Sequence, residues 1–165
     1  MKRILLILLV TFINATGFAQ IDSKTIQETL TAFTDQYGNK FSENTIKDSL
    51  VIIYISGLEE PITMAYDKLA GKKLINAQGV QFVGSFDNMP GDATHKIAHL
   101  KAGFISKYGN DYIKVLLDTE GKIGQQVSAP GLVVIVIKKG SDKASITNYG
   151  TNRKQFFDSV NKYFN

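Results

Sequence analysis

Residues 50–55 read Leu-Val-Ile-Ile-Tyr-Ile, a continuous run of β-branched, apolar and aromatic side chains. Such a run is typical of a strand that helices cover on both faces, so we expect it near the centre of a sheet. Gly57 interrupts the run, and Glu59, Glu60 and Pro61 then begin a predicted helix. The segment therefore predicts a strand, a turn and a helix in direct succession.

Hydrophobic periodicity extends this unit in both directions. Further helices are predicted at 22–37, 93–108 and 152–164, and further strands at 79–86, 112–117, 131–137 and 143–149. Ser23 is expected to cap the first helix, and Asn152 pairs with Gln155 in a cap at the start of the last one. The strand at 143–149 is polar enough to be an edge strand.

This order of elements, α-β-α-β-α-β-β-β-α, resembles a thioredoxin-like domain of the kind found in exported thiol-disulfide proteins and peroxiredoxins. The resemblance covers about residues 22–164 and includes Pro130, which precedes an apolar strand, an edge strand and a final helix. It implies an α/β fold, with a mixed central sheet of about five strands covered by helices on both faces. It also implies that Pro130 corresponds to the cis proline of that family.

The position of the family's catalytic cysteines is occupied by other residues. Members carry a Cys-x-x-Cys pair or a peroxidatic cysteine where the first central strand meets its helix, but here residues 56–62 read Ser-Gly-Leu-Glu-Glu-Pro-Ile. The chain of 165 residues contains no cysteine at all. Because the thiolate is the reacting group in that chemistry, we expect neither a thiol-disulfide oxidoreductase nor a cysteine peroxidase.

The N-terminal residues have the pattern of a bacterial signal peptide. Lys2 and Arg3 precede the apolar stretch 4–13, and residues 17–19 read Gly-Phe-Ala, a small-x-small cleavage site. The apolar stretch is shorter than the roughly 20 residues that cross a bilayer, so stable membrane insertion after cleavage is not expected. We therefore predict a signal peptide at 1–19 and one domain at 20–165, located in the periplasm or secreted.

Charge argues against nucleic acid as a partner. The formal net charge of +4 falls to +2 when Lys2 and Arg3 are removed with the signal peptide. So small a charge does not indicate binding to a polyanion. No G-x-S-x-G, P-loop or G-x-G-x-x-G pattern occurs, and no cofactor is predicted.

Four residues near predicted strand ends are candidates for a binding site. Glu59, Asp87 and Pro130 are predicted to lie at or near the carboxyl ends of strands, where open α/β sheets place their ligands, and Glu60 follows Glu59 directly. Glu59 and Glu60 are better explained as favourable charges at a helix N-terminus than as catalytic carboxylates. The sequence thus favours an envelope protein or a small ligand as the binding partner at this edge.

A different class of function stays open, namely a hydrolytic or metal-dependent enzyme that uses Glu59, Glu60, Asp87 or His95. His95 and His99 have the i, i+4 spacing of two metal ligands, with Asp92 nearby. A helical wheel places both histidines on the solvent side, and Asp92 suits helix capping, so no metal site is predicted. Asp118 and the three residues after it are predicted to form a turn.

Overall fold

Six strands and three helices make up the part of the chain that the computed structural model describes, which comprises residues 20–35, 37–42, 48–56, 79–85, 91–92, 95, 114–128 and 131–162. The strands are β1 (Gln20–Asp22), β2 (Ser49–Ser56), β3 (Val80–Ser85), β4 (Val115–Asp118), β5 (Leu132–Lys138) and β6 (Lys143–Asn148). The helices are α1 (Ser23–Thr31), α2 (Lys122–Val127) and α3 (Arg153–Asn161). Within these residues, no helix is long and apolar enough to cross a bilayer.

The strands form one mixed sheet in the order β1-β6-β5-β2-β3-β4. Strands β2, β3 and β4 run parallel, whereas β5 and β6 are antiparallel to their neighbours, and β1 is antiparallel to β6. The run 50–55 lies in β2 with a paired strand on each side, which confirms its central position. The sixth strand, beyond the five or so predicted, is the short β1.

Both faces of the sheet are buried, as the apolar runs predicted. Ile52 and Ile53 are adjacent in β2 and therefore point to opposite faces, yet both are fully buried. Helices α1 and α2 supply Ile26 and Ile123 to the core cluster on the Ile52 face. Helix α3 packs against β5 and β6 on the other face, where Phe156 is fully buried.

Helix α1 is shorter than predicted and is capped by a different residue. It spans Ser23–Thr31 rather than 22–37, and the Asp22 carboxylate accepts a hydrogen bond of 2.8 Å from the Thr25 N–H. The hydroxyl of Ser23, the predicted cap, donates instead to the Ser141 carbonyl. The helix ends early because the chain at Thr34 turns into a β-bridge.

The loop after α1 closes the outer side of β4. Asp35 forms an antiparallel bridge with Leu116, and its buried carboxylate accepts hydrogen bonds of 2.8 Å from the N–H groups of Tyr37 and Asn39. The Asn39 amide also donates to this carboxylate. One side chain therefore fixes the loop against an otherwise open strand.

Strand β6 is not the edge strand that the sequence predicted. Residues 143–145 pair with β1, which takes the outer position. Thr147 lies beyond β1 but is buried, and its hydroxyl lies 3.4 Å from the Ser159 hydroxyl of α3. The polar composition of β6 reflects this contact with α3 and the partial cover by β1.

The other predicted elements divide into confirmed and undescribed ones. The Asn152 side chain accepts a 2.9 Å hydrogen bond from the Gln155 N–H, which confirms the cap of α3. Strands predicted at 79–86, 112–117 and 131–137 correspond to β3, β4 and β5. The helices predicted after Pro61 and at 93–108 lie outside the described residues, apart from His95.

Candidate functional site

The carboxyl ends of the three parallel strands meet at one edge of the sheet, which we call the carboxyl edge. Ser56, Ser85 and Asp118 are the last residues of β2, β3 and β4, and they are paired in register across the sheet. Each of them comes two residues after a member of the core cluster that α1 and α2 cover, namely Tyr54, Val83 and Leu116. Because alternate residues of a strand point to the same face, all three side chains lie on that face. This edge is where open α/β sheets place their sites.

Ser56 joins the end of β2 to the start of β5. Its N–H donates to the Gly131 carbonyl at 2.9 Å, and its hydroxyl accepts from the Gly131 N–H at 2.9 Å. Gly131 has φ +89°, a left-handed conformation that glycine adopts without strain. The serine hydroxyl is therefore engaged in holding two chain segments together.

Asp118 is fully buried and caps α2 from the preceding strand. One carboxylate oxygen accepts from the Lys122 N–H and the other from the Ile123 N–H, both at 2.7 Å. The residue at the usual capping position is Gly121, which has no side chain to contribute. Both oxygens of this carboxylate thus satisfy backbone donors of the helix.

An aromatic cluster extends the carboxyl edge on the α3 face. Tyr149 follows β6, and its N–H donates to the carbonyl of Leu132, the first residue of β5, at 2.9 Å. Its half-buried ring makes edge-to-face contacts with Phe156 and Phe157, with centroids 5.5 and 5.9 Å apart. The exposed Arg153 guanidinium lies 5.2 Å from the centre of the Tyr149 ring.

Two clefts among the described residues are small. One of about 190 Å³ lies beside Lys138 and Gly140, and one of about 230 Å³ lies between Thr34 and Lys122. At the second, the Glu120 carboxylate lies 2.8 Å from the Lys122 ammonium and raises the pKa of Lys122 by this hydrogen bond. Both volumes are below the roughly 300–1,000 Å³ of typical small-molecule sites.

Comparison with known proteins identifies the fold. No protein-family model matches the chain, and no curated protein matches its sequence. The exposed lipoprotein thioredoxin of Streptococcus pneumoniae is similar in structure, with a TM-score of 0.53 and 12% identity over 76% of this chain and 96% of that one. The chain has a thioredoxin-like fold. A Neisseria meningitidis protein provisionally assigned as a thioredoxin gives a TM-score of 0.51 and 10% identity, over 79% of this chain and 85% of that one.

The absence of cysteine distinguishes this thioredoxin-like domain chemically. Its β2 ends in Ser56, and the whole chain contains no thiol. The domain therefore cannot carry out cysteine-based redox chemistry, because no residue can form the thiolate that attacks a disulfide or a peroxide. The thioredoxin-like architecture is retained without the chemistry of its redox members.

The four predicted binding residues remain predictions. Glu59, Glu60, Asp87 and Pro130 lie outside the described residues. Ser56 and Ser85, the strand ends that precede Glu59 and Asp87 in the chain, lie in the adjacent strands β2 and β3, and Gly131, which follows Pro130, is hydrogen-bonded to Ser56. The described residues that flank Glu59, Asp87 and Pro130 in the chain therefore lie at the carboxyl edge.

The metal hypothesis gains no support from the described part of the site. Asp92 accepts a 2.9 Å hydrogen bond from the His95 N–H, which confirms its predicted capping role. His95 is exposed, as the helical wheel predicted, whereas His99 lies outside the described residues. Across the described ranges, no three His, Asp or Glu side chains are grouped closely enough to hold a metal ion.

Sequence reasoning missed the residues that organise the carboxyl edge. Asp118 was assigned to a turn, and the turn is present at residues 119–120, but the helix that its carboxylate caps was not predicted. An aspartate shortly before the pair Ile123 and Val127, spaced i, i+4, was the available signal. The Ser56 contact joins residues 75 positions apart and has no local signal.

Proposed function

We propose that this chain is an exported, redox-inactive thioredoxin-like domain that binds a protein of the cell envelope through the carboxyl edge. The observation that carries the proposal is that the side chains of Ser56 and Asp118, at the carboxyl edge, are hydrogen-bonded to backbone groups. A surface that binds a protein partner needs a backbone fixed by such hydrogen bonds, but it needs no catalytic side chain.

The polar side chains of the edge act as structural ties. The Ser56 hydroxyl accepts from Gly131, and both oxygens of Asp118 accept from helix N–H groups. A general acid or base must be within reach of a substrate proton, and a fully buried carboxylate with two backbone partners is not. These groups therefore support binding more than catalysis.

The aromatic cluster supplies the kind of surface that protein partners use. Tyr149 and Phe157 are half-buried, and their contacts with the buried Phe156 fix their orientation. Exposed Arg153 lies over the Tyr149 ring. Tyrosine and arginine are enriched among the residues that dominate binding energy at protein interfaces.

Export rests on the sequence. The basic start, apolar stretch and small-x-small site of residues 1–19 have the form of a signal peptide. The similar structure from Streptococcus pneumoniae is an exposed lipoprotein, so this fold serves outside the cytoplasm in at least one other protein. The present chain has no cysteine that could carry a lipid anchor.

Site-specific photo-crosslinking in intact cells tests the proposed surface. A benzophenone amino acid replaces Arg153 in one variant and Lys24 in a matched control. The Lys24 side chain is 83% exposed on α1, whose start adjoins Asp142 at the opposite edge of the sheet. We expect a covalent adduct with an envelope protein from position 153 and none from position 24.

The outcomes of this experiment distinguish a protein partner at the carboxyl edge from a small-molecule ligand, and they test export separately. Equal adducts at both positions, or none at position 153, would show that the carboxyl edge is not the binding surface. A small molecule found with the purified domain by native mass spectrometry, in the absence of adducts, would replace the protein partner with a ligand. An intact signal peptide in the mature protein would refute export without affecting the surface.

A further inference from the structure

Strand β1 begins at Gln20, the residue that the predicted signal-peptide cleavage leaves first. Gln20 pairs with Ser145 of β6, and both residues are exposed at the outer side of the sheet. The Gln20 residue is thus in contact with water, while the following residue, Ile21, packs partly against the core. The first residue of the proposed mature chain is accessible and lies on an ordered strand.

We infer that Gln20 is a modification site, where the mature N-terminus cyclises to pyroglutamate. This inference rests on the export proposed above, because cleavage after residue 19 must first release the Gln20 α-amine. The amine nitrogen attacks the side-chain amide carbon and forms a lactam C–N bond. The bond from that carbon to the side-chain nitrogen breaks, and the nitrogen leaves as ammonia with a proton taken from the amine.

The reaction needs no oxidant, reductant or second substrate. The first residue of a chain has no preceding peptide, so ring closure requires rotation only within Gln20 itself. The lactam keeps one N–H and the backbone carbonyl, so β1 can still pair with β6. Closure removes the positive charge of the α-amine, as other terminal modifications do. It also removes the free amine that aminopeptidases require.

Cyclisation gives β1, the outermost strand, an uncharged N-terminus in the form of a lactam ring. A charged and hydrated α-amine on β1 would favour fraying of a strand only three residues long. The lactam removes that charge while leaving the polar side of β1 exposed. The modification therefore suits the position that Gln20 occupies in the sheet.

Intact-mass measurement of the protein purified from the envelope or medium tests the inference. We expect a chain that starts at residue 20, lighter than the unmodified form by one ammonia molecule and resistant to Edman degradation. Digestion with pyroglutamyl aminopeptidase should then expose Ile21. The matched control is Gln20→Ala, which has no side-chain amide and should keep a free amine at residue 20.

Each other result overturns the inference in a distinguishable way. A chain that starts at Gln20 with a free amine would refute cyclisation while supporting export. A start at another residue beyond 20 would refute cyclisation and the cleavage site. An intact Met1 in the mature protein would refute both cyclisation and export.

Discussion

Gly124 in α2 lies directly over the buried Tyr54, so a methyl group at this position tests how tightly the two are packed. A Cβ built at Gly124 would contact the Tyr54 phenol oxygen too closely and would lie 3.3 Å from the ring carbon Cζ. Tyr54 is 1% exposed, so its ring has no room to swing away. Overpacking of this kind costs about 1–3 kcal/mol.

Helix propensity acts in the opposite direction. Replacing a helical glycine by alanine is worth about 1 kcal/mol in favour of alanine. The two effects together predict that Gly124→Ala destabilises the domain by about 0–2 kcal/mol, rather than stabilising it. In a Tyr54→Phe background the phenol oxygen is gone, and the same change should stabilise the domain or cost at least about 1 kcal/mol less.

Urea denaturation of the four proteins of this double-mutant cycle measures the coupling. Gln125→Ala, at an exposed position of the same helix, is the control and should change stability by no more than about 0.5 kcal/mol. An identical effect of Gly124→Ala in both backgrounds would refute the close contact between α2 and the Tyr54 hydroxyl.

Two further predictions concern carboxylates at helix starts. Asp118→Asn replaces one acceptor oxygen with a donor against buried N–H groups, so it should lower the free energy of unfolding by about 2–4 kcal/mol; a neutral result in urea denaturation would contradict the capping role. The hydrogen bond from the Thr25 N–H lowers the pKa of Asp22. Asp22 therefore stabilises the folded state above the ordinary aspartate pKa, and this contribution is lost as the pH falls through the lowered value. The stability difference between the wild type and Asp22→Ala should accordingly be present at pH 7 and shrink in acid; a difference that persists unchanged at low pH would show that the charge of Asp22 is not involved.

The elements that the sequence predicted well are those with a dense local signal. Strands β2 and β5 are long runs of β-branched side chains, and the start of α3 is marked by Asn152 and Gln155 within one turn. Helix α2 was missed because only Ile123 and Val127 face the core among its six residues. Strand β1 was missed because three residues cannot show a period.

The candidate site was predictable only as a location. The carboxyl ends of the strands follow from the order of elements, and the parallel run of β2, β3 and β4 brings them together. The Ser56 contact with Gly131 and the position of Arg153 over Tyr149 depend on the assembled sheet and helices. Such contacts follow from tertiary packing, which no local pattern encodes.

The pairing of β2 with β5 determines when this chain can fold. Ser49 pairs with Lys138, so the central antiparallel contact joins segments that are far apart in the sequence. Contacts between such distant residues slow folding, because the entropic cost of closing the loop must be met before the strands can pair and stabilise each other. Until residue 138 has emerged from the ribosome, the most apolar strand of the first half of the domain lacks one of its two neighbours. For the export proposed above, this delay is an advantage, because the sheet cannot close while the C-terminal third is still being synthesised and the chain stays unfolded for translocation.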